Sequence, residues 1–125
     1  MKKKQILFIH QNFPGQFKSL APHLAELKNY EVFSLSWKKM NKGDIAKDND
    51  TFKNMDKVKH HQYTITRSSS DNIFNLAQEF ETKMIRADAV AKKCFELKEQ
   101  GINPELIINH PGWGETMFIN EIWPN

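Results

Sequence analysis

Very little in this sequence pushes it toward a specialised class. The 125 residues hold one cysteine, Cys94, so no intrachain disulfide can form, and a reducing compartment is the natural reading. Charge of one sign is scarcely in excess. Eighteen Lys and Arg against fifteen Asp and Glu leave a net +3, which excludes a dedicated nucleic-acid binder. No apolar run approaches the ~20 residues of a membrane-spanning helix. The start, Met1-Lys2-Lys3-Lys4, resembles the front of a secretory leader. Only residues 6–9 follow as an apolar block before Gln11 and Asn12, too short for a leader, so a cytoplasmic protein is expected. There is no internal repeat and no low-complexity tract.

What is present fits one ordinary soluble domain, or a piece of a larger one. Hydrophobic residues make up 39% and charged residues 26%, enough apolar content to rule out a chain disordered throughout. Residues 5–10 (QILFIH) form a nearly continuous apolar run, as in a strand buried on both faces. A turn, QNFPG, follows. Phe17, Leu20, Ala21, Leu24 and Leu27 then mark a helix face over residues 16–28, with Pro22 expected to kink it. Residues 30–37 (YEVFSLSW) predict a second strand. Residues 38–59 carry many lysines and aspartates and predict an irregular insertion. A third strand is expected over 58–66. A long helix is expected over 72–100 on the stripe Ile73, Ala77, Phe80, Met84, Ala87, Ala91 and Cys94, capped by residues 68–71 and ended by Gly101. Residues 106–109 (LIIN) make a fourth strand, and residues 116–122 begin a last helix.

Strands alternating with helices imply an α/β, Rossmann-like parallel sheet in the order 3-2-1-4. Such sheets usually continue for further strands, so the sequence reads as cut short, with an apolar fourth strand on an open edge. Ligands of these sheets bind beyond the carboxyl ends of the strands where the order reverses, here between strands 1 and 4. Two conspicuous loops lie there. One is His10-Gln11-Asn12-Phe13-Pro14-Gly15-Gln16-Phe17 and the other His110-Pro111-Gly112-Trp113-Gly114-Glu115. The first does not match G-x-G-x-x-G, so nothing points to a dinucleotide.

Those two loops carry a resemblance. QILFIHQNFPGQFKSLAPHLA resembles the first strand, loop and helix of a family-4 glycosyltransferase of GT-B architecture. INPELIINHPGWGETMFINEIWPN resembles the fourth strand and following loop of the subgroup with an HPGWGE segment. The likeness covers roughly residues 5–36 and 84–125. It implies transfer of a sugar from a nucleotide-sugar donor to a sugar or lipid-linked acceptor, between two Rossmann-like domains. The chain would be a partial N-terminal, acceptor-side domain. The donor site, with its acidic pair, would belong to a C-terminal domain, so the fragment alone is expected to be inactive. Family membership further implies a retaining reaction, with no metal and no cofactor beyond the nucleotide sugar as substrate.

By the same resemblance Gly15 and Gln16 lie near the donor phosphates, His110 is the catalytic-site candidate, and His10, Asn12, Gly112, Trp113 and Glu115 line the acceptor cleft. A Gly15→Val change is then expected to block catalysis with only a modest folding penalty. Bland readings stand beside these. Gly15 also suits a tight turn, Trp113 packing, and Glu115 the N-terminus of the last helix. Adjacent His60 and His61 point to opposite faces of a strand and share no metal. Cys94 falls on the apolar helix stripe and reads as core. The sequon at Asn49 is discarded for want of secretion. The lysine-rich stretch reads as solvated, with peripheral contact to the inner face of a membrane as its alternative. No nucleic-acid partner is expected. The competing reading is a non-catalytic binding or assembly module whose sheet a partner chain completes. A flavodoxin-like receiver is weaker, since His10-Gln11-Asn12 stands where its acidic cluster belongs.

Overall fold

Alternation along two strands sets the layers of this protein. In β1 (Lys4–Ile9) Ile6 and Phe8 face one side, and Leu7 and Ile9 the other, all buried. In β2 (Tyr30–Ser36) Val32 and Ser34 continue the first face, and Phe33 and Leu35 the second. With β3 (Lys59–Gln62) and β4 (Leu106–Asn109) they form one four-stranded parallel sheet, β3-β2-β1-β4, the order expected from the sequence. The computed structural model of the chain describes residues 2–37 and 54–124. Most of the lysine-rich insertion therefore lies outside the described residues. Its described tail, however, enters the core, with Met55 and Val58 packed under the first sheet face.

Helix α1 (Leu20–Glu26) covers that first face, where Ala21 meets Ile6, Phe8, Phe13 and Phe17. The expected continuous helix from residue 16 is instead a single 3-10 turn, Gly15–Phe17, followed by α1. This split removes the expected kink. Pro22 falls in the first turn of α1, and the first α-type bond runs from the His23 N–H to the Ser19 carbonyl. A proline nitrogen there lacks nothing, because the first-turn N–H groups have no intrahelical acceptor in any case.

The opposite face is covered by α2 (Asn75–Glu99) and the short α3 (Ile119–Ile122). The buried stripe of α2 is Arg86, Ala87, Val90, Cys94 and Leu97. Phe80, expected on the stripe, is 64% exposed, and Phe74 and Leu76 beside it are exposed as well. Length explains this. Twenty-five helical residues span about 37 Å, whereas strands of four to seven residues span only about 13–23 Å. The first turns of α2 therefore overhang the carboxyl edge of the sheet. The third strand is also shorter than expected. It stops at Gln62, because β2, its only partner, ends at Ser36. No helix among the described residues is long and apolar enough to cross a membrane.

Candidate active site at the carboxyl edge

β1 and β4 pair in a register that sets Ile9 opposite Asn109, and the ladder runs on as the His110 N–H donates to the Ile9 carbonyl. His10 and His110 thus follow on neighbouring strands with the same parity. Their rings meet on the α1 face, centroids 5.0 Å apart. Both sequence-predicted loops share this floor, as expected. His10 is buried and rests edge-on against Phe17. Its Nδ1 accepts the Asn12 backbone N–H at 2.9 Å, so the proton of the neutral ring sits on Nε2. Burial lowers the His10 pKa, and the neighbouring His110 lowers it further, while a hydrogen bond with the Gln16 side chain opposes both.

Gly15 has a φ of +49°, and a Cβ built there would lie 2.4 Å from His10 Nε2. The glycine is therefore demanded by the protein's own imidazole, and the expected modest folding penalty of Gly15→Val does not hold. Nor does Gly15 open a long helix, since a single 3-10 turn adds up no appreciable dipole. Asn12 and Gln16 are exposed beside it.

The second loop closes against α2. A Cβ on Gly114, whose φ is +82°, would come 2.8 Å from the Lys83 carbonyl oxygen, so only glycine lets the loop approach the helix this closely. Gly112 lies open at the tip. Trp113 is 44% exposed, with the Arg86 guanidinium 5.3 Å from its ring centre. Arg86 also lies over Trp37 at the end of β2, at 5.8 Å. Glu115 departs most from its bland reading. It lies four residues ahead of α3 and is buried, accepting the Tyr63 hydroxyl at 3.0 Å. Burial raises its pKa, partly offset by the Tyr63 hydrogen bond, the Arg86 and His110 charges, and the Gln11 backbone N–H. Burial and the Glu115 charge likewise push the Tyr63 phenol upward.

Asn109, His110, Gly112, Gly114, Glu115 and Thr116 line a cavity of about 250 Å³ at this edge. Asn109 donates from Nδ2 to the Thr116 hydroxyl. Of the six buried side-chain atoms without a hydrogen-bond partner among the described residues, four cluster here: Gln11 Oε1, Asn109 Oδ1, His110 Nδ1 and Glu115 Oε1. Three of the four belong to residues lining the cavity, and Gln11 adjoins it through its backbone contact with Glu115. The three oxygens can accept hydrogen bonds, as can His110 Nδ1 when the ring proton is on Nε2; among the described residues the other buried unpaired side-chain atoms are Glu81 Oε2 and the donor Arg86 Nε.

The remaining histidines stand apart from this cavity. His60 hydrogen-bonds Ser34 and the Met55 carbonyl on one sheet face, and His61 stacks on Phe33 on the other, as their adjacency predicts. Sequence reasoning missed Arg86 and Tyr63. Arg86 was legible as the residue four before Val90, with Cys94 and Leu97 completing the same stripe.

Comparison with known proteins adds a family to this geometry. No curated protein and no solved structure matches the chain. Residues 36–125 match the model of the glycosyl transferase family 4 group, a span that takes in β3, α2, β4 and the whole loop from His110 to Glu115. With well over half of its sequence matched and an α/β sheet of the expected order, the chain belongs to the glycosyl transferase family 4 group.

Proposed function

We propose that the chain forms the acceptor side of a GT-B glycosyltransferase of the HPGWGE-bearing subgroup, which moves a sugar from a nucleotide-sugar donor to a hydroxyl acceptor. The carrying observation is the surplus of unpaired acceptors at the carboxyl edge. Gln11 Oε1, Asn109 Oδ1, His110 Nδ1 and Glu115 Oε1 are buried without partners. Leaving such groups unpaired costs about 1–3 kcal/mol each, and a ligand rich in O–H donors relieves that cost. A sugar is such a ligand. In the transfer, the acceptor hydroxyl oxygen bonds the anomeric carbon of the donor sugar, the bond from that carbon to the nucleotide's diphosphate breaks, and the hydroxyl proton leaves on the departing diphosphate. His110, with an unpaired ring nitrogen in the cavity, orients the hydroxyl. Asn109 and Glu115 hold the neighbouring hydroxyls, Trp113 borders the sugar, and Gly15 and Gln16 face the donor phosphates.

In this reading a second domain holds most of the donor, so these 125 residues bind sugar without consuming nucleotide sugars. The protein works in the cytoplasm, where nucleotide sugars are made, and meets membranes only peripherally. Saturation-transfer NMR tests the reading. Mono- and oligosaccharide protons should receive saturation from the chain, and His110→Ala or Asn109→Ala should abolish it. Absence of transfer from every sugar, or equal transfer in both variants, refutes the assignment.

A second reading has its own observation. β4 ends the sheet, and Leu106 on it is 51% exposed. A partner strand pairing there would make the chain a non-catalytic assembly module. Sugar binding lost in the His110 variant decides for the first reading.

A further inference from the structure

Arg86 is more than nine-tenths buried, yet its Nε has no hydrogen-bond partner. A guanidinium presents five N–H donors, and leaving a buried one unpaired is costly. Two indole faces lie beside it, Trp37 at 5.8 Å and Trp113 at 5.3 Å from ring centre to guanidinium carbon. Indole faces compensate part of the charge but accept none of the N–H groups as an oxygen would. The Glu115 carboxylate does not pair with it. Glu115 feels the Arg86 charge, but its hydrogen bonds go to Tyr63 and the Gln11 backbone, and its Oε1 remains unpaired.

The position of Arg86 matters as much as its lack of partners. Trp37 lies at the carboxyl end of β2, and Trp113 lies between Gly112 and Gly114, both of which line the edge cavity. Glu115 feels both Arg86 and His110, so the cation and the histidine belong to one electrostatic neighbourhood.

We propose that Arg86 is the receptor for an oxyanion carried by the acceptor, so that the acceptor is an acidic sugar bearing a carboxylate or a phosphate. The unpaired acceptors take its hydroxyls, and the guanidinium takes its anionic group through paired N–H···O bonds, reached past the half-exposed Trp113. This rests on the sugar-site reading above and narrows it to a substrate class.

Of the three tryptophans, Trp37 and Trp113 flank Arg86 and Trp123 is buried against Ile102, so a ligand-induced change in intrinsic fluorescence, lost in Trp113→Phe, reports on the site. The chain is titrated at constant ionic strength with glucose, glucuronate, glucose 6-phosphate and inorganic phosphate. Glucuronate or glucose 6-phosphate should bind at least about tenfold more tightly than glucose, and whichever is tighter identifies the anion. Arg86→Gln should bring that preference within about twofold without weakening glucose binding, and Arg86→Lys should restore part of it, as a charge without the fork. Acidic sugars binding no more tightly than glucose to the unaltered chain would overturn the proposal, whatever the variants do. So would an unchanged preference in a folded Arg86→Gln. If inorganic phosphate binds through Arg86 and no sugar binds at all, the oxyanion site stands and the sugar reading falls. If glucose binds through His110 with no gain for acidic sugars, the sugar reading stands and the Arg86 proposal falls.

Discussion

Replacing Gly15 by alanine should destabilise the fold through one identifiable contact, the imidazole of His10. Two costs add. The backbone at Gly15 has a φ of +49°, and a residue with a Cβ in the left-handed region loses about 1–2 kcal/mol. The new Cβ would also meet three ring atoms of His10, Nε2 at 2.4 Å, Cε1 at 2.6 Å and Cδ2 at 2.9 Å. The ring cannot swing away freely. It is buried against Phe17, touches His110, and holds the Asn12 N–H on Nδ1. Displacing it forfeits a hydrogen bond worth about 1 kcal/mol and adds overpacking strain of similar size or larger. The total is about 3–6 kcal/mol.

Urea denaturation of four proteins separates the two costs: the unaltered chain, Gly15→Ala, His10→Ala and the double variant. With the ring gone, the glycine substitution should cost only its backbone part, so the cycle should show a coupling of at least about 1 kcal/mol. A Gly15→Ala cost below about 1 kcal/mol, or one identical in both backgrounds, would refute the reasoning. The glycine would then answer to a ligand or to nothing in the fold.

Removing the Tyr63 hydroxyl by Tyr63→Phe leaves Glu115 short of a donor, and should cost about 1–3 kcal/mol in the same denaturation assay; a neutral effect would show that Glu115 is protonated and content without it. Cys94 is fully buried with its thiol pushed up to about 12, so the native chain should resist iodoacetamide at pH 8 and react only in denaturant; prompt native labelling would contradict the core assignment. Burial lowers the pKa of His10, His60 and His61, so the unfolded chain takes up their protons first. Their contribution should leave stability unaffected above about pH 6.5 and reduce it as pH falls toward the folded values, by at most about 1.4 kcal/mol per pH unit per histidine. Glu115 is raised and acts with the opposite sign, losing stability as pH climbs from 4.5 toward its folded value, so Glu115→Gln should steepen the acid side of the profile. A denaturation midpoint unchanged between pH 7.5 and 5.5 in that variant would contradict the histidine account.

β1 and β2 were legible because they are buried on both faces, and β4 because it is apolar; such strands announce themselves as apolar runs. The run at residues 106–109 is β4 to the residue, and the run at 5–10 is β1 displaced by one. Turn chemistry placed both loops at the carboxyl edge for the same reason. Helix faces were less legible. On α2 the expected stripe holds at Ala87 and Cys94, but it includes the exposed Phe80 and omits the buried Val90 and Leu97. The deciding factor was the overhang, a mismatch between helix and strand lengths that no local pattern records. Arg86 was passed over although its spacing fits the buried stripe, because a charged side chain is normally assigned to the outer face. Glu115 and Tyr63 were hidden similarly: their pairing across 52 residues is a tertiary fact.

The family match begins at Ser36, so β1 and the loop from His10 to Phe17 lie outside it. What binds that first segment to the matched one is geometry. β1 pairs with β4 through Ile6–Leu106, Leu7–Ile107, Phe8–Ile108 and Ile9–Asn109, and both chains then leave the sheet with a histidine of the same parity. A one-residue slip in that register would send one ring to the α1 face and the other to the α2 face. The register is held by burial. Ile6, Phe8 and Ile108 pack toward α1 while Leu7, Ile9 and Ile107 pack toward α2, and a slip would exchange those faces. The same apolar alternation that folds the sheet therefore sets the two imidazoles 5.0 Å apart. The polar end of each strand also explains why the acceptors cluster there. Beyond the ends of β1 and β4 the backbone bonds continue, but the loops bury the side-chain atoms Gln11 Oε1, Asn109 Oδ1 and His110 Nδ1 without giving them partners. Their unmet hydrogen bonds are a cost of folding at one edge of the sheet, and that edge is where an α/β sheet of this order takes its ligand.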